Sequence, residues 1–104
     1  MSQDIALQIL RDLGGNRFIV MTGAKSLCSG ERALSFRLPA NMTKHRASGM
    51  RIELNANDLY DITLFKIVKF EVKTMDERTM VHVENLRSVF TEMTGLDTSL
   101  GMAA

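Results

Sequence analysis

The stretch Gly23-Ala24-Lys25-Ser26 comes closer than the rest of this chain to a phosphate-binding pattern, because a glycine, a lysine and a hydroxyl follow an apolar run. A phosphate-binding loop needs a glycine, four further residues and then Gly-Lys-Ser or Gly-Lys-Thr, so that backbone N–H groups surround the phosphates. Here Ala24 separates the glycine from the lysine, and Phe18 stands where the first glycine should be. No helix is predicted after Ser26, so a phosphate has no helix N-terminus to bind. We predict that residues 22–30 connect two strands and carry a basic rim.

Catalytic and metal-binding constellations are not indicated either. The two histidines, His45 and His82, are far apart in the sequence, and Cys28 is the single cysteine. A zinc site needs four closely spaced nitrogen or sulfur ligands, which these residues do not supply. Asp58 and Asp61 border a turn pattern and are expected to be solvated. The sequence therefore predicts a protein that is not an enzyme and has no metal and no cofactor.

Length and composition predict one folded domain, residues 1–104, with a frayed tail at 101–104. Apolar residues make up 45% of the chain and charged residues 24%, a balance typical of globular proteins. A lone cysteine forms no internal disulfide, which favours a reducing compartment. No signal peptide and no apolar run of about 20 residues is expected to direct the chain to a membrane. We expect a cytoplasmic protein that does not bind membranes.

Apolar residues alternate with polar ones in several short runs, as in strands, and recur at helical spacing near both ends of the chain. The predicted helices are 3–13 and 83–93, and the predicted strands are 18–22, 34–38, 50–54, 60–64 and 68–72, with a bend or bulge near Phe65 and Ile67. Residues 74–80 are either a turn or the start of the second helix. Short turns between strands favour antiparallel pairing. The predicted fold is α+β: one antiparallel sheet of four to five strands, with an N-terminal and a C-terminal helix packed on one face.

The apolar positions of these elements predict the hydrophobic core. Its expected members are Ile9, Phe18, Val20, Phe36, Leu38, Ile52, Leu54, Ile62, Leu64, Phe70, Leu86 and Phe90.

Charge is unevenly distributed along the chain. Residues 1–51 carry a net charge of +5 and residues 52–104 a net charge of −4. Such asymmetry indicates an anionic partner or self-complementary association, although two ordinary solvated faces would also produce it. The basic half includes an eleven-residue segment, 39–49, that is longer than most hairpin connections. Long loops of this kind often carry function.

Nucleic acid is the first candidate partner, because basic residues in this loop and the adjoining strands suit a phosphate backbone. The candidate binding residues are Lys25, Arg37, Lys44, His45, Arg46 and Arg51. Aromatic residues make up only 6% of the chain, and Phe65 alone is predicted on a polar face, so sequence-independent backbone contact is favoured over base stacking. We expect binding that is roughly micromolar or weaker at physiological salt.

A protein partner is the alternative hypothesis, in which the chain is an interaction module that binds or inhibits a host or phage protein. Interleaving of Glu53, Asp58 or Asp61 with the basic residues would favour this alternative, because the surface would then be neutral. The sequence leaves the oligomeric state open, a homodimer included.

Four segments resemble a family of small uncharacterised proteins of bacteriophage and mobile-element genomes: GGNRFIVMTGAK (14–25), LSFRLP (34–39), RIELNANDLYDITLFKI (51–67) and LRSVFTEMTGLDTSL (86–100). The resemblance implies expression inside a bacterial host, where such proteins bind nucleic acid or another protein. It implies no catalytic residue, because the family has no established activity.

Overall fold

The computed structural model describes residues 2–39, 43 and 46–95, with the backbone alone described for residues 2–4 and 21. Two helices precede five strands, and a third helix follows a short 3-10 turn at Val83–Asn85. The helices are α1 (Ser2–Leu13), α2 (Asn16–Thr22) and α3 (Leu86–Thr94), and the strands are β1 (Lys25–Gly30), β2 (Ala33–Arg37), β3 (Gly49–Leu54), β4 (Tyr60–Val68) and β5 (Glu71–Val81). The predicted tail at 101–104 lies outside the described residues.

The five strands form one antiparallel sheet in the order β1-β2-β3-β4-β5, so each strand pairs with the one that precedes it in the chain. This arrangement confirms the predicted α+β fold with a single antiparallel sheet and helices towards both ends of the chain. Strands β1 and β5 are the two edges of the sheet.

Helices α1 and α3 contact each other and pack on the same face of the sheet. The ring of Phe18, from α2, lies at this interface and meets Phe36 of β2 and Phe90 of α3 at centroid distances of 5.4 and 5.1 Å. Both ring pairs are edge-to-face, a geometry that aromatic quadrupoles favour. The hydroxyl of Tyr60 on β4 donates a hydrogen bond of 2.6 Å to Asp12 Oδ2 of α1, which ties the helix to the centre of the sheet.

Most of the predicted core is confirmed, since nine of its side chains are buried: Ile9, Phe18, Phe36, Leu38, Ile52, Ile62, Leu64, Leu86 and Phe90. Leu54 is only partly buried. Two predictions are wrong, because Val20 is 71% exposed and Phe70 is 102% exposed. Each error follows from a wrong element assignment.

Residues 18–22, predicted as a strand, belong to helix α2. In a helix, Phe18 and Thr22 lie on the same side, and both are buried, whereas Val20 points away from them to solvent. Gly23 ends the helix in the left-handed conformation (φ 75°) and its N–H bonds to the carbonyl of Ile19. A glycine accepts this conformation without steric penalty. Packing of Phe18 in the core therefore outweighs the strand preference of the β-branched residues around it.

The chain after Gly23 also differs from the prediction. Residues 25–30, predicted as part of a connection, form strand β1. Residues 68–72, predicted as one strand, contain the turn of a hairpin at Lys69 and Phe70, and residues 74–80 continue strand β5. The predicted irregularity near Phe65 is confirmed as a shift of register between Leu64 and Phe65.

Candidate nucleic-acid interface

The helices leave the second face of the sheet uncovered, and we call it the open face. Directly paired residues of antiparallel strands point to the same face. Ser35 pairs with Arg51, which pairs with Thr63, and these three alternate with the buried side chains of their strands. Arg37, Glu53, Asp61 and Phe65 follow the same alternation and also belong to the open face.

Three of the predicted binding residues share the open face. Lys25 of β1 pairs directly with Arg37 of β2, and Arg51 of β3 is the diagonal neighbour of Arg37. All three side chains are exposed. The ion pairs within the described part of the chain join Arg78 to Asp76 and to Glu92, so no described carboxylate neutralises Lys25, Arg37 or Arg51. These three cations are therefore available to an anionic partner.

Arg51 reaches across the sheet rather than out of it. Its Nη1 lies 3.4 Å from the position that a Cβ on Gly30 of β1 would occupy, so the guanidinium crosses β2. Beneath this span, Ala33 is fully buried. The guanidinium therefore lies over strands β1 and β2 near Gly30 and Ala33, four residues along β2 from Arg37.

Arg46 is exposed and precedes β3 by three residues. Its N–H bonds to the carbonyl of Thr43, whose hydroxyl donates to the carbonyl of Ala47. Because β3 begins opposite the end of β2, this turn places Arg46 at the same end of the sheet as Arg37. The predicted binding residues Lys44 and His45 lie outside the described residues.

Acidic side chains of the open face lie at its opposite end. Glu53 pairs directly with Asp61, two residues beyond the Arg51–Thr63 pair. Asp61 Oδ1 accepts hydrogen bonds from Asn55 Nδ2 (3.0 Å) and from the N–H of Met80 (3.1 Å), which hold the carboxylate beside the turn between β3 and β4. Asp58 is in that turn as well, with a φ of 61°. The acids are thus separated along the strands from Lys25 and Arg37, whereas the Arg51 guanidinium extends towards their row.

Phe65 provides the aromatic surface of the open face, where its parity predicted it. The ring is half-buried and fills the space above Gly49, so a side chain on Gly49 would collide with it. Gly49 pairs with Arg37 on its other side, which makes Arg37, Gly49 and Phe65 one row across three strands. A flat apolar surface therefore lies beside the cations.

The hairpin of β4 and β5 extends beyond the rest of the sheet at the basic end, and we call residues 66–73 the hairpin arm. Strand β3 begins opposite Phe65, so the residues of the arm pair only with each other. The base of the arm is held by Ser48, whose hydroxyl accepts a hydrogen bond of 3.0 Å from the N–H of Ile67. The predicted fold lacks the arm, because the predicted strand 68–72 runs through the turn at residues 69–70.

The segment that resembles a phosphate loop is the C-terminal end of helix α2. The Thr22 hydroxyl donates to the carbonyl of Phe18 (2.7 Å) and accepts from the N–H of Ala24 (3.2 Å). The last turn of a helix carries the negative end of its dipole, which repels a phosphate. Lys25 leaves this turn as the first residue of β1.

The described residues also form a groove, but neither its lining nor their His, Cys, Asp and Glu side chains indicate a catalytic or metal site. A groove of about 280 Å³ between α1 and β1 is lined by Ala6, Leu7, Leu10, Leu27, Ser29 and Leu34, none of which titrates. In the described ranges, no group of three His, Cys, Asp or Glu side chains is arranged to hold a metal ion. None of the described helices has the length and apolar character needed to cross a bilayer.

Comparison with known proteins supplies no assignment for this surface. The chain has no significant match to a protein-family model, to a curated protein or to a solved structure.

Proposed function

We propose that this protein binds the phosphate backbone of nucleic acid through the basic end of its open face, without catalysing a reaction, in a phage-type setting within a bacterial cytoplasm. The observation that supports this most directly is the direct pair of Lys25 and Arg37, which shares one exposed face with Arg51; none of the three has a described carboxylate within ion-pairing distance. Lysine and arginine side chains grouped on one face are the electrostatic footprint of a nucleic-acid-binding protein.

Contacts at this surface suit phosphates better than base edges. The residues that flank the cations on the open face, Ser35 and Thr63, are hydroxyl donors of the kind that bind phosphate oxygens. Bidentate readout of adenine needs an asparagine or glutamine, and the open-face positions of β2, β3 and β4 hold neither. The proposed binding therefore involves no bidentate readout of adenine by the open face and depends strongly on salt.

The separation of Lys25 and Arg37 from the carboxylates along the strands favours a nucleic acid over a protein partner. Interleaved acids would make the face neutral, whereas Glu53 and Asp61 are grouped at the far end. An anionic backbone at the basic end meets Lys25 and Arg37 without approaching these carboxylates. The protein-partner hypothesis remains the alternative outcome of the following test.

The test compares Arg37→Gln/Arg51→Gln with the wild type on labelled single-stranded and duplex oligonucleotides at two salt concentrations. Each phosphate contact contributes about 0.7 to 0.9 to the slope of log affinity against log salt, so removing two should lower the slope by about 1.4 to 1.8. Arg11→Gln/Arg87→Gln is the matched control, because it removes the same charge from exposed positions on α1 and α3.

An unchanged slope in Arg37→Gln/Arg51→Gln would show that the open face is not the binding surface. Equal losses in both double variants would show that only net charge matters. If the wild type binds neither oligonucleotide at low salt, the partner is a protein.

A further inference from the structure

Phe70, at the tip of the hairpin arm, is held in an unusual backbone conformation and is fully exposed. Lys69 and Phe70 form the two-residue connection between β4 and β5, with φ values of 50° and 70°. Two-residue hairpin turns with both φ values positive are normally made by Asn-Gly or Gly-Gly, because other residues are strained there. Strain of this kind at an exposed tip indicates a contact that the fold itself does not need.

The positive charges of the arm also lower its stability. Lys66 and Lys73 pair directly across the two strands, and like charges in that position repel each other. With Lys69 at the tip, the arm carries three lysines and one carboxylate, Glu71. Neutralisation of the lysines by an anionic partner would relieve this repulsion.

The apolar side chains of the arm are exposed on the side of the open face. Ile67 pairs with Val72, and their side chains are 38% and 66% exposed. They continue the alternation of Phe65, so the apolar side of the arm is continuous with the open face, whereas Lys66 and Lys73 point to the opposite side of the arm. A ligand that lies across Lys25 and Arg37 therefore reaches the arm.

From these observations we infer that the hairpin arm binds duplex nucleic acid, with Phe70 inserted as an apolar wedge into the base stack. Lys69 at the tip, and Lys66 and Lys73 on the side of the arm opposite the open face, would then contact the flanking phosphates. This inference rests on the proposed function and adds the class of ligand. Proteins that bend a duplex insert phenylalanine or similar side chains between base steps. A protein that binds single strands needs several rings in succession, and here one fully exposed ring stands at the end of an arm.

Three variants test the arm on an end-labelled duplex of about 20 base pairs and on the matching single strand. Phe70→Ala should weaken duplex binding about 5- to 150-fold, the range for loss of one stacked ring, with the salt slope unchanged. Lys66→Gln/Lys73→Gln should lower that slope by about 1.8. Val20→Ala removes an equally isolated exposed side chain from α2 and should bind as the wild type does. Melting curves should show that all three variants fold.

Fluorescence energy transfer between dyes at the two ends of the duplex measures the end-to-end distance and gives a second readout. The wild type should shorten the end-to-end distance and Phe70→Ala should not, because a wedge kinks the duplex. If Phe70→Ala binds and bends like the wild type while Arg37→Gln/Arg51→Gln weakens binding, the arm inference is wrong and the proposed function stands. If only the arm variants weaken binding, the arm inference stands and the open-face proposal is wrong.

Two further results overturn the arm inference. Absence of binding to either oligonucleotide at low salt contradicts both the arm and the open-face proposals. Binding to anionic phospholipid vesicles, without binding to duplex, would assign the arm to a membrane surface.

Discussion

The ring of Phe65 occupies the space where a side chain on Gly49 would stand, so the two residues form one packing unit across β3 and β4. A Cβ on Gly49 would also lie 3.0 Å from the carbonyl oxygen of Phe36. The Phe65 ring can pack this closely against β3 only because residue 49 has no side chain.

Gly49→Ala should therefore displace the Phe65 ring and lower the free energy of unfolding by about 1–3 kcal/mol. Gly30→Ala is the matched control, because its new Cβ would meet only the mobile end of Arg51 and the Cβ of Ala33, at 3.4 and 3.6 Å. We expect the control to change stability by less than about 0.5 kcal/mol. Urea unfolding measures both, and equal values in the two variants would contradict the packing described.

Phenylalanine truncations should separate core from surface. Phe36→Ala and Phe90→Ala each remove a buried ring from the aromatic cluster around Phe18 and should lower stability by about 3–5 kcal/mol. Phe70→Ala should change stability by less than about 0.5 kcal/mol, because its side chain is fully exposed. A large loss of stability in Phe70→Ala would place this residue in the core.

Tyr60 should make stability fall in alkaline solution. Burial, reinforced by the hydrogen bond to Asp12, raises the pKa of Tyr60 to about 12, from about 10 in the unfolded chain. Because the folded-state pKa is the higher one, the contribution is fully present below pH 10 and is lost as the pH rises from 10 to 12. The full loss amounts to about 2–3 kcal/mol of unfolding free energy.

Tyr60→Phe isolates this effect from the titration of lysines in the same range. The variant should be less stable than the wild type below pH 10, and the difference should shrink as the pH rises. Urea titrations at pH 8, 9, 10 and 11 measure it. A constant difference would show that Tyr60 titrates alike in the folded and unfolded chain.

The turn of the hairpin arm should show a conflict between stability and binding. Lys69→Asn/Phe70→Gly installs the residues that a turn with two positive φ values favours, so it should raise stability by about 1–2 kcal/mol. The same variant lacks the exposed ring and one lysine, so it should bind duplex more weakly than the wild type. Thermal melting and duplex titration on one preparation test both effects. A variant that is more stable and binds equally well would show that the turn residues serve no ligand.

Strands with one buried face could be predicted from the sequence, whereas the edge of the sheet could not. In β2, β3 and the first half of β4, apolar residues alternate with polar ones because every second side chain enters the core. Strand β5 is exposed over most of its length, so it has no such alternation. Residues 18–22 form a continuous apolar run, for which periodicity does not distinguish strand from helix.

The candidate site, too, could be predicted only in part from the sequence. Alternation alone placed Arg37 and Arg51 on the polar side of their strands, and the register makes them diagonal neighbours. The direction of the Arg51 side chain, towards Gly30, could not be predicted. The hairpin arm was not predictable, because Lys69-Phe70 is not a turn sequence and Phe70 resembles a core residue. The feature that hid the arm, an aromatic residue in a strained turn, is the one on which its proposed role depends.

The order of strands in the sheet repeats their order in the chain, which bears on folding during synthesis. Each strand that leaves a ribosome finds its partner already made, so the sheet can grow by successive hairpins without waiting for distant segments. The aromatic cluster behaves differently, since Phe18 and Phe36 meet Phe90 only after α3 has been made. A nascent chain whose first 85 residues have emerged from the ribosome would thus have its five strands but leave the Phe18 and Phe36 rings without Phe90, and chaperones would be expected to bind it until the last helix closes the core.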